Sequence, residues 1–108
     1  MFEPERIIPC GIAVEVPEWY GLFIVPKSGL SVKHGITVHN SPGLVDSNYR
    51  GEVRVVLCNT LRDPRESFQV FPGARIAQAV LMPVVSGLQW EEVDHLSDNR
   101  RKSAYVQD

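Results

Sequence analysis

The sequence predicts an all-β fold, a sandwich or barrel with one short helix. Short runs of β-branched and other apolar residues recur along the chain, and almost no stretch has the spacing of an amphipathic helix. Eight prolines and eight glycines separate these runs, as is typical of antiparallel sandwiches and barrels. With 108 residues, 44% of them hydrophobic, the chain suffices for one domain with a small core that association would enlarge.

Each element is predicted from a run and the residues that bound it. Four of the six predicted strands begin at a glycine, and prolines or glycines interrupt the chain between them. The stretch "SGLSVKHG" predicts a short helix over 28–35, with Ser28 as the N-cap and Gly35 as the terminating residue. The predicted strands are 11–16, 21–25, 35–40, 51–59, 66–71 and 76–85.

The polar ending "LSDNRRKSAYVQD" predicts an arm. The expected organisation is therefore one β domain over 1–96, followed by a polar C-terminal arm over 97–108. No repeat or low-complexity block indicates a second domain.

Composition argues against several classes of function. A formal charge of −2 provides no basic field, and the only dense cationic run is "RRK" at 100–102, so bulk nucleic-acid binding is not expected. No stretch approaches the roughly 18 apolar residues of a membrane span. Cys10 and Cys58 are far apart and lack CxxC spacing, which favours reduced thiols in a cytoplasmic protein.

The three histidines show no metal-ligand spacing. His34 and His39 are five residues apart on a predicted loop and strand, and His95 is distant from both. Neither the helical HxxxH face nor a same-face strand pair results. No metal bound by protein side chains is therefore expected.

The stretch "SPGLVDSNYRGE" at 41–52 contains an acid that has two interpretations. Asp46 stands in turn-forming company, and Asp, Ser and Asn side chains commonly bond to nearby backbone in turns. A functional acid, with the aromatic Tyr49 three residues later, is the less favoured interpretation of this stretch. The residues of this stretch alone leave both interpretations open.

Three motifs in order resemble those of the trimeric dUTPases. "VPKSGLSVKHGITVHN", "SPGLVDSNYRGEVRVVLCN" and "FPGARIAQAVLMPV" are similar to that family's second, third and fourth motifs, and "PCGIAVEVP" is similar to the strand before them. The resemblance covers roughly residues 5–96. The related dCTP deaminases are a weaker match, because their serine-rich phosphate motif and catalytic glutamate do not occur here.

The resemblance implies a distorted β-barrel or jelly-roll-type sandwich with one short helix, assembled as a homotrimer with ligand sites between subunits. A hairpin would receive the uracil of a deoxynucleotide, with Asn40 at the base and Tyr49 beneath the deoxyribose. Asp46 would orient the attacking water, as suits a carboxylate that accepts its proton.

Phosphate binding is assigned by the same resemblance to residues at the helix start and on the last strand. Unpaired N–H groups at Ser28 and Gly29 would favour an anion. Gln78 would contact phosphate oxygen without charge. Lys27 stands where the family has arginine, which replaces a planar fork with a point charge.

Two departures from the family pattern concern catalysis. The first motif, an "AGxDL" strand whose aspartate holds magnesium, does not occur in the 108 residues. The fifth, glycine-rich motif falls at 100–108, where "RRKSAYVQD" keeps Arg100 and Tyr105 at the arginine and aromatic positions but has no glycine. Glycine lets an arm wrap close to phosphate, so the chain is expected to be a shortened, divergent member of the family.

These departures lead to a main functional expectation and two alternatives. The main expectation is a protein that binds a nucleotide or nucleotide-derived ligand with weak or lost hydrolysis, in a sequestering or regulatory role. The first alternative is an active magnesium-dependent dUTP diphosphatase that makes dUMP and pyrophosphate. The second is a protein-interaction module. Magnesium would enter through the ligand's phosphates.

Overall fold

The computed structural model describes residues 4–97. Six strands, one α-helix and one 3₁₀ turn make up its regular structure, which confirms the all-β fold class. The elements in chain order are β1 (Glu5–Ala13), β2 (Tyr20–Pro26), α1 (Ser28–His34), β3 (Ile36–Val38), β4 (Gly43–Val45), β5 (Glu52–Asn59), the 3₁₀ turn Pro64–Glu66 and β6 (Ala77–Pro83).

The strands form two antiparallel sheets of three strands each. In the first sheet β5 lies between β1 and β3, and in the second β2 lies between β4 and β6. The register of β1 shifts between Pro9 and Ala13, where Gly11 has a φ of 72°. Such a shift is a β-bulge, which bends the edge strand.

The core lies between the two sheets and is small. On β5 the alternate residues Val53, Val55 and Leu57 are buried, because successive side chains of a strand point to opposite faces. Ile24 of β2 packs against this face from the other sheet. The remaining members of the buried core cluster are Ile36 and Val38 of β3.

The short helix is confirmed, but its N-cap is wrong. Lys27, with extended backbone, is the N-cap residue of α1 and makes no side-chain cap bond. Ser28 is the first helical residue instead, and the amides of Leu30 and Ser31 bond to the Lys27 carbonyl. Gly35 ends the helix in the left-handed region, as predicted.

The predicted strand at 66–71 is wrong. Residues 64–66 form a 3₁₀ turn in which Asp63 accepts a bond from the Arg65 amide, and 67–71 form no strand. The alternation that suggested a strand has a different cause: Phe68 and Val70 pack against the core without a strand partner. Alternating apolar residues show only that one face of a segment is buried. Here the buried face belongs to a loop that covers the core, and not to a strand.

Several other strand bounds differ from the prediction: β3 ends at Val38 rather than at residue 40, and β6 ends at Pro83 rather than at residue 85. The first strand begins at Glu5 rather than Gly11, since β1 pairs with β5 from the Glu5–Cys58 position onward. Strand β4 was not predicted, because three residues are too few to show an alternating pattern.

Asn59, at the end of β5, is a buried polar residue that joins three segments. Its amide donates to the Pro4 carbonyl at 2.7 Å, its side-chain Nδ2 donates to the Glu66 carbonyl at 3.1 Å, and its Oδ1 accepts from the Leu61 amide at 3.0 Å. Buried polar groups require such partners. These bonds hold the loop after β5 against the first sheet.

A large part of the apolar surface stays exposed in the single chain. Its accessible surface is 9265 Å², whereas a folded monomer of this mass exposes roughly 6,000 Å². Many of the exposed apolar residues lie on and after β6, an edge strand of its sheet. Exposed apolar residues there include Val80, Leu81, Met82, Val85, Leu88 and Trp90. Within residues 4–97, no helix has the length and apolarity needed to cross a membrane.

Gly35 is expected to be intolerant of a side chain. A Cβ there would lie 2.8 Å from Leu61 Cγ and 2.9 Å from Thr60 Oγ1, at a φ of 67°. Gly35→Ala should lower the free energy of unfolding by about 2 to 4 kcal/mol, through backbone strain and overpacking together. Gly11→Ala is the matched control, because Gly11 has a φ of 72° but no atom within 4 Å of its built Cβ. Urea denaturation should show a loss of about 1 kcal/mol for the control; equal losses in both variants would contradict the packing argument.

Candidate functional site

The hairpin, residues 40–51, follows β3 and includes β4. Its second half is a turn in which the Tyr49 amide donates to the Asp46 carbonyl at 3.3 Å. The turn is anchored to the second sheet, since Leu22 of β2 pairs with Val45. Asp46 therefore lies directly after the end of β4, which is paired with β2.

Asp46 fits both interpretations of the sequence. Its Oδ1 accepts from the Asn48 amide at 2.9 Å, the local bond of an Asx-turn. The residue is exposed, and the second oxygen, Oδ2, takes no part in this bond. The carboxylate is thus held in one orientation by the turn, with an oxygen available to a water molecule.

Tyr49 is positioned by Gly51 and Glu52. Its hydroxyl donates to the Glu52 carbonyl at 2.6 Å. The ring folds over Gly51, where a Cβ would lie 2.7 Å from the tyrosine oxygen and 2.9 Å from Cζ. The absence of a side chain at Gly51 is what permits this ring position.

Arg50 was missed by the sequence analysis. Its guanidinium donates to the carbonyls of Ser47 at 2.7 Å and Tyr49 at 3.1 Å, and so closes the turn from within. The sequence carried no signal for this role, because an exposed arginine in a turn is usually a solvated charge.

Asn40 lies at the base of the hairpin. It is exposed, and a Cβ built on Gly43 would lie 3.4 Å from its Nδ2. Asn40 and β4 are thus adjacent. The three residues that the resemblance assigned to base, sugar and water therefore all lie on this one hairpin.

The cradle, defined as Lys27, Ser28, Gly29 and Gln78, is formed where β2 passes into α1. Val25 of β2 pairs with Gln78 of β6, so the glutamine lies beside the chain that leads into the helix. Lys27 and Gln78 both line a cleft of about 440 Å³ between the two sheets. Ser28 and Gly29 are exposed, and no atom lies within 4 Å of a Cβ built on Gly29.

Asp46 and the cradle lie toward opposite ends of β2. Val45 pairs with Leu22, whereas Ala77 pairs with Pro26, four residues further along β2. At about 3.3 Å per residue these pairs are roughly 13 Å apart, and Asp46 and Lys27 continue outward from them. One chain therefore does not bring its own acid to its own cradle.

Cys10 lines the same cleft but is poorly suited to act as a nucleophile. Partial burial, and then the negative charge of Glu52, raise the pKa of the Cys10 thiol above its usual range. The thiol therefore stays protonated at neutral pH, whereas the thiolate is the reactive form. Both cysteines are free.

The structure also assembles a cluster that the spacing of the histidines did not reveal. One ligand atom each from Glu5, His39 and Cys58 lies within 4.8 Å of the other two. Spacing among the histidines could not indicate this cluster, because the cluster depends on strand pairing. Arg100 and Tyr105, which the resemblance assigned to nucleotide binding, lie outside the described residues.

Comparisons with known proteins identify relatives of this chain. The dUTPase family profile matches residues 3–107. The chain is 49% identical over 98 residues to the deoxyuridine 5'-triphosphate nucleotidohydrolase of Gloeothece citriformis, which covers 91% of this chain and 65% of that protein. For the enzymes of the same name from Chlamydia pneumoniae and Leifsonia xyli, the identities are 48% and 44% over 90% of this chain, and 65% and 62% of those proteins. The chain thus spans less than two thirds of these relatives.

Solved structures show the same fold. A mutant dUTPase from phage phi11 of Staphylococcus aureus, described with a structural Mg(II) ion, superposes with a TM-score of 0.73 at 19% identity, over 89% of this chain and 77% of that chain. A mutant dUTPase of Staphylococcus phage 80alpha gives a TM-score of 0.73 at 21% identity, with the same two coverages. With a family profile that spans nearly its whole length, the chain belongs to the dUTPase family.

Proposed function

We propose that this chain forms a dUTP diphosphatase, which hydrolyses dUTP to dUMP and pyrophosphate at sites shared between the copies of a homotrimer. The observation that carries the proposal is the hairpin, in which Asp46 is exposed and oriented beside a fixed Tyr49. Relatives 44 to 49% identical carry the name of the hydrolase.

The proposed chemistry is attack of water on the α-phosphorus. The water oxygen forms a bond to phosphorus, the bond from phosphorus to the bridging oxygen of the β-phosphate breaks, and pyrophosphate leaves. Asp46 orients the water and takes its proton. The cradle holds the phosphates through Lys27, Gln78 and the first amides of α1, which supplies alignment and charge stabilisation.

Magnesium fits this site only as part of the substrate. The described residues that line the cleft beside the cradle include no aspartate or glutamate, and Mg²⁺ prefers carboxylate and phosphate oxygens. The cation would therefore enter on the nucleotide's phosphates, whose charge it neutralises.

The comparisons favour hydrolysis over the sequestering role expected from the sequence. That expectation was based on the first and fifth motifs. Residues 98–108, where the fifth motif falls, lie outside the described residues, and the relatives are longer than this chain. The second, third and fourth motifs are the part that the structure describes, and their geometry suits catalysis.

A homotrimer can place Asp46 of one copy beside the cradle of another, which a single chain does not do for its own acid and cradle. An acid acts on a water only within about 3 Å of it, yet Asp46 and the cradle of one chain lie beyond two β2 pairings that are four residues apart. The apolar edge of β6 and the excess accessible surface support burial between copies. We infer that the hairpin of one copy completes the cradle of another.

Pyrophosphate release from dUTP with Mg²⁺ tests the proposed activity. The unmutated chain should turn over near the median enzyme rate of about 10 per second. Asp46→Asn should lower this rate by about 10²- to 10⁴-fold, while the amide oxygen preserves the bond from the Asn48 amide and therefore the turn. Tight dUTP binding without turnover in the unmutated chain would contradict the proposal and favour sequestration.

Discrimination between deoxyribose and ribose tests the position of Tyr49. The unmutated protein should prefer dUTP over UTP by about tenfold to a hundredfold in kcat/KM, because a 2′-hydroxyl would be crowded against the ring. Gly51→Ala should reduce this preference by displacing the ring. Tyr49→Phe is the matched control: it keeps the ring over Gly51 and loses only the hydroxyl bond to the Glu52 carbonyl, so it should keep most of the preference. Equal use of both nucleotides by the unmutated protein would show that Tyr49 does not lie beneath the sugar.

A further inference from the structure

Two neighbouring strands of the first sheet, and the residue that follows a third, each contribute one metal-ligating side chain to the same place. Glu5 of β1 pairs with Cys58 of β5, and Cys58 pairs on its other side with Thr37 of β3. His39 follows Thr37 by two residues and so shares its face. Its amide donates to the Val56 carbonyl at 2.7 Å, which extends the pairing of β3 and β5 to this residue.

The side-chain atoms agree with the register. A carboxylate oxygen of Glu5, a ring nitrogen of His39 and Sγ of Cys58 all lie within 4.8 Å of one another. Cys58 is buried, whereas Glu5 and His39 are exposed. The thiol therefore lies at the bottom of a shallow site whose other two donors are open to solvent.

We propose that Glu5, His39 and Cys58 form a zinc site, which is distinct from the nucleotide site and independent of the proposed function. Thiolate, imidazole and carboxylate are the donors that Zn²⁺ takes, and three protein donors leave its fourth position to water. Sulfur disfavours Mg²⁺ and Ca²⁺, which prefer oxygen donors.

The geometry requires only side-chain adjustment. Tetrahedral zinc, with bonds of about 2.0 to 2.3 Å, places its donor atoms roughly 3.3 to 3.8 Å apart. Closing the cluster from 4.8 Å takes about an ångström, which rotation of the exposed Glu5 and His39 side chains can provide. On binding, the Cys58 thiol loses its proton to solvent and the thiolate becomes the ligand.

The consequence for the fold is a cross-link. Zinc at this position ties β1 and β3 to the central strand β5, at the point where β3 leads into Asn40 and the hairpin. A metal that binds the folded chain and not the unfolded one raises its stability.

Cobalt(II) tests the site directly, because thiolate ligation produces a sulfur-to-cobalt charge-transfer band that oxygen or nitrogen ligation does not. Metal-free protein, without nucleotide, is titrated with Co²⁺ and then with Zn²⁺. We expect one equivalent of Co²⁺ per chain, a charge-transfer band, and its displacement by Zn²⁺. In parallel, Zn²⁺ should raise the melting temperature.

Two ligand variants and two control variants test the assignment of His39 and Cys58. His39→Gln and Cys58→Ser should each weaken cobalt binding by about a hundredfold or more, and Cys58→Ser should abolish the charge-transfer band. The matched controls are Cys10→Ser and His95→Gln, which should leave the titration unchanged. Since His39 is exposed, its variant should fold even if the variant of the buried cysteine does not. Absence of the band in the unmutated protein, or an unchanged titration in His39→Gln, would overturn the proposal.

Discussion

Strand β2 pairs with β4 along one side and with β6 along the other, and this double pairing determines where Asp46 lies relative to the cradle. One pairing fixes Val45, and with it Asp46, at the start of β2. The other fixes Gln78 beside Val25 at its end. The length of β2 thus separates the acid from the cradle. Strand β6 belongs to the same sheet, and its exposed apolar residues form the surface that supports association. The same sheet keeps Asp46 away from the cradle of its own chain, which is why the proposed site requires association.

The sequence predicted the elements whose pattern is long enough to be distinctive. The alternating run of β5, the apolar run of β2 and the glycine that ends α1 were all identified. The failures have physical reasons. The segment at 66–71 alternates because Phe68 and Val70 face the core, and alternation does not reveal whether a strand partner exists. Strand β4 has three residues, and its existence depends on pairing with β2.

The candidate site likewise has residues that the sequence predicted and supporting residues that it did not predict. Asn40, Asp46 and Tyr49 were assigned from a motif, and the structure places all three on one hairpin. The roles of Gly51 and Arg50 could not be predicted from the sequence. Gly51 leaves space for the Tyr49 ring, and Arg50 donates hydrogen bonds to backbone carbonyls of the turn, and both depend on the folded geometry. The cluster of Glu5, His39 and Cys58 is a result of register alone. Residues far apart in sequence meet only once the strand order is known.

The central claim is that each active site combines the hairpin of one copy with the cradle of another. Subunit complementation between two inactive variants tests it most directly. Asp46→Asn has an intact cradle, and a chain with Lys27→Ala and Gln78→Ala has an intact hairpin. When the two are unfolded, mixed in equal amounts and refolded, about a quarter of the sites in random trimers join an intact hairpin to an intact cradle. The account predicts dUTP hydrolysis at about a quarter of the unmutated rate, whereas a mixture as inactive as its parents would contradict it.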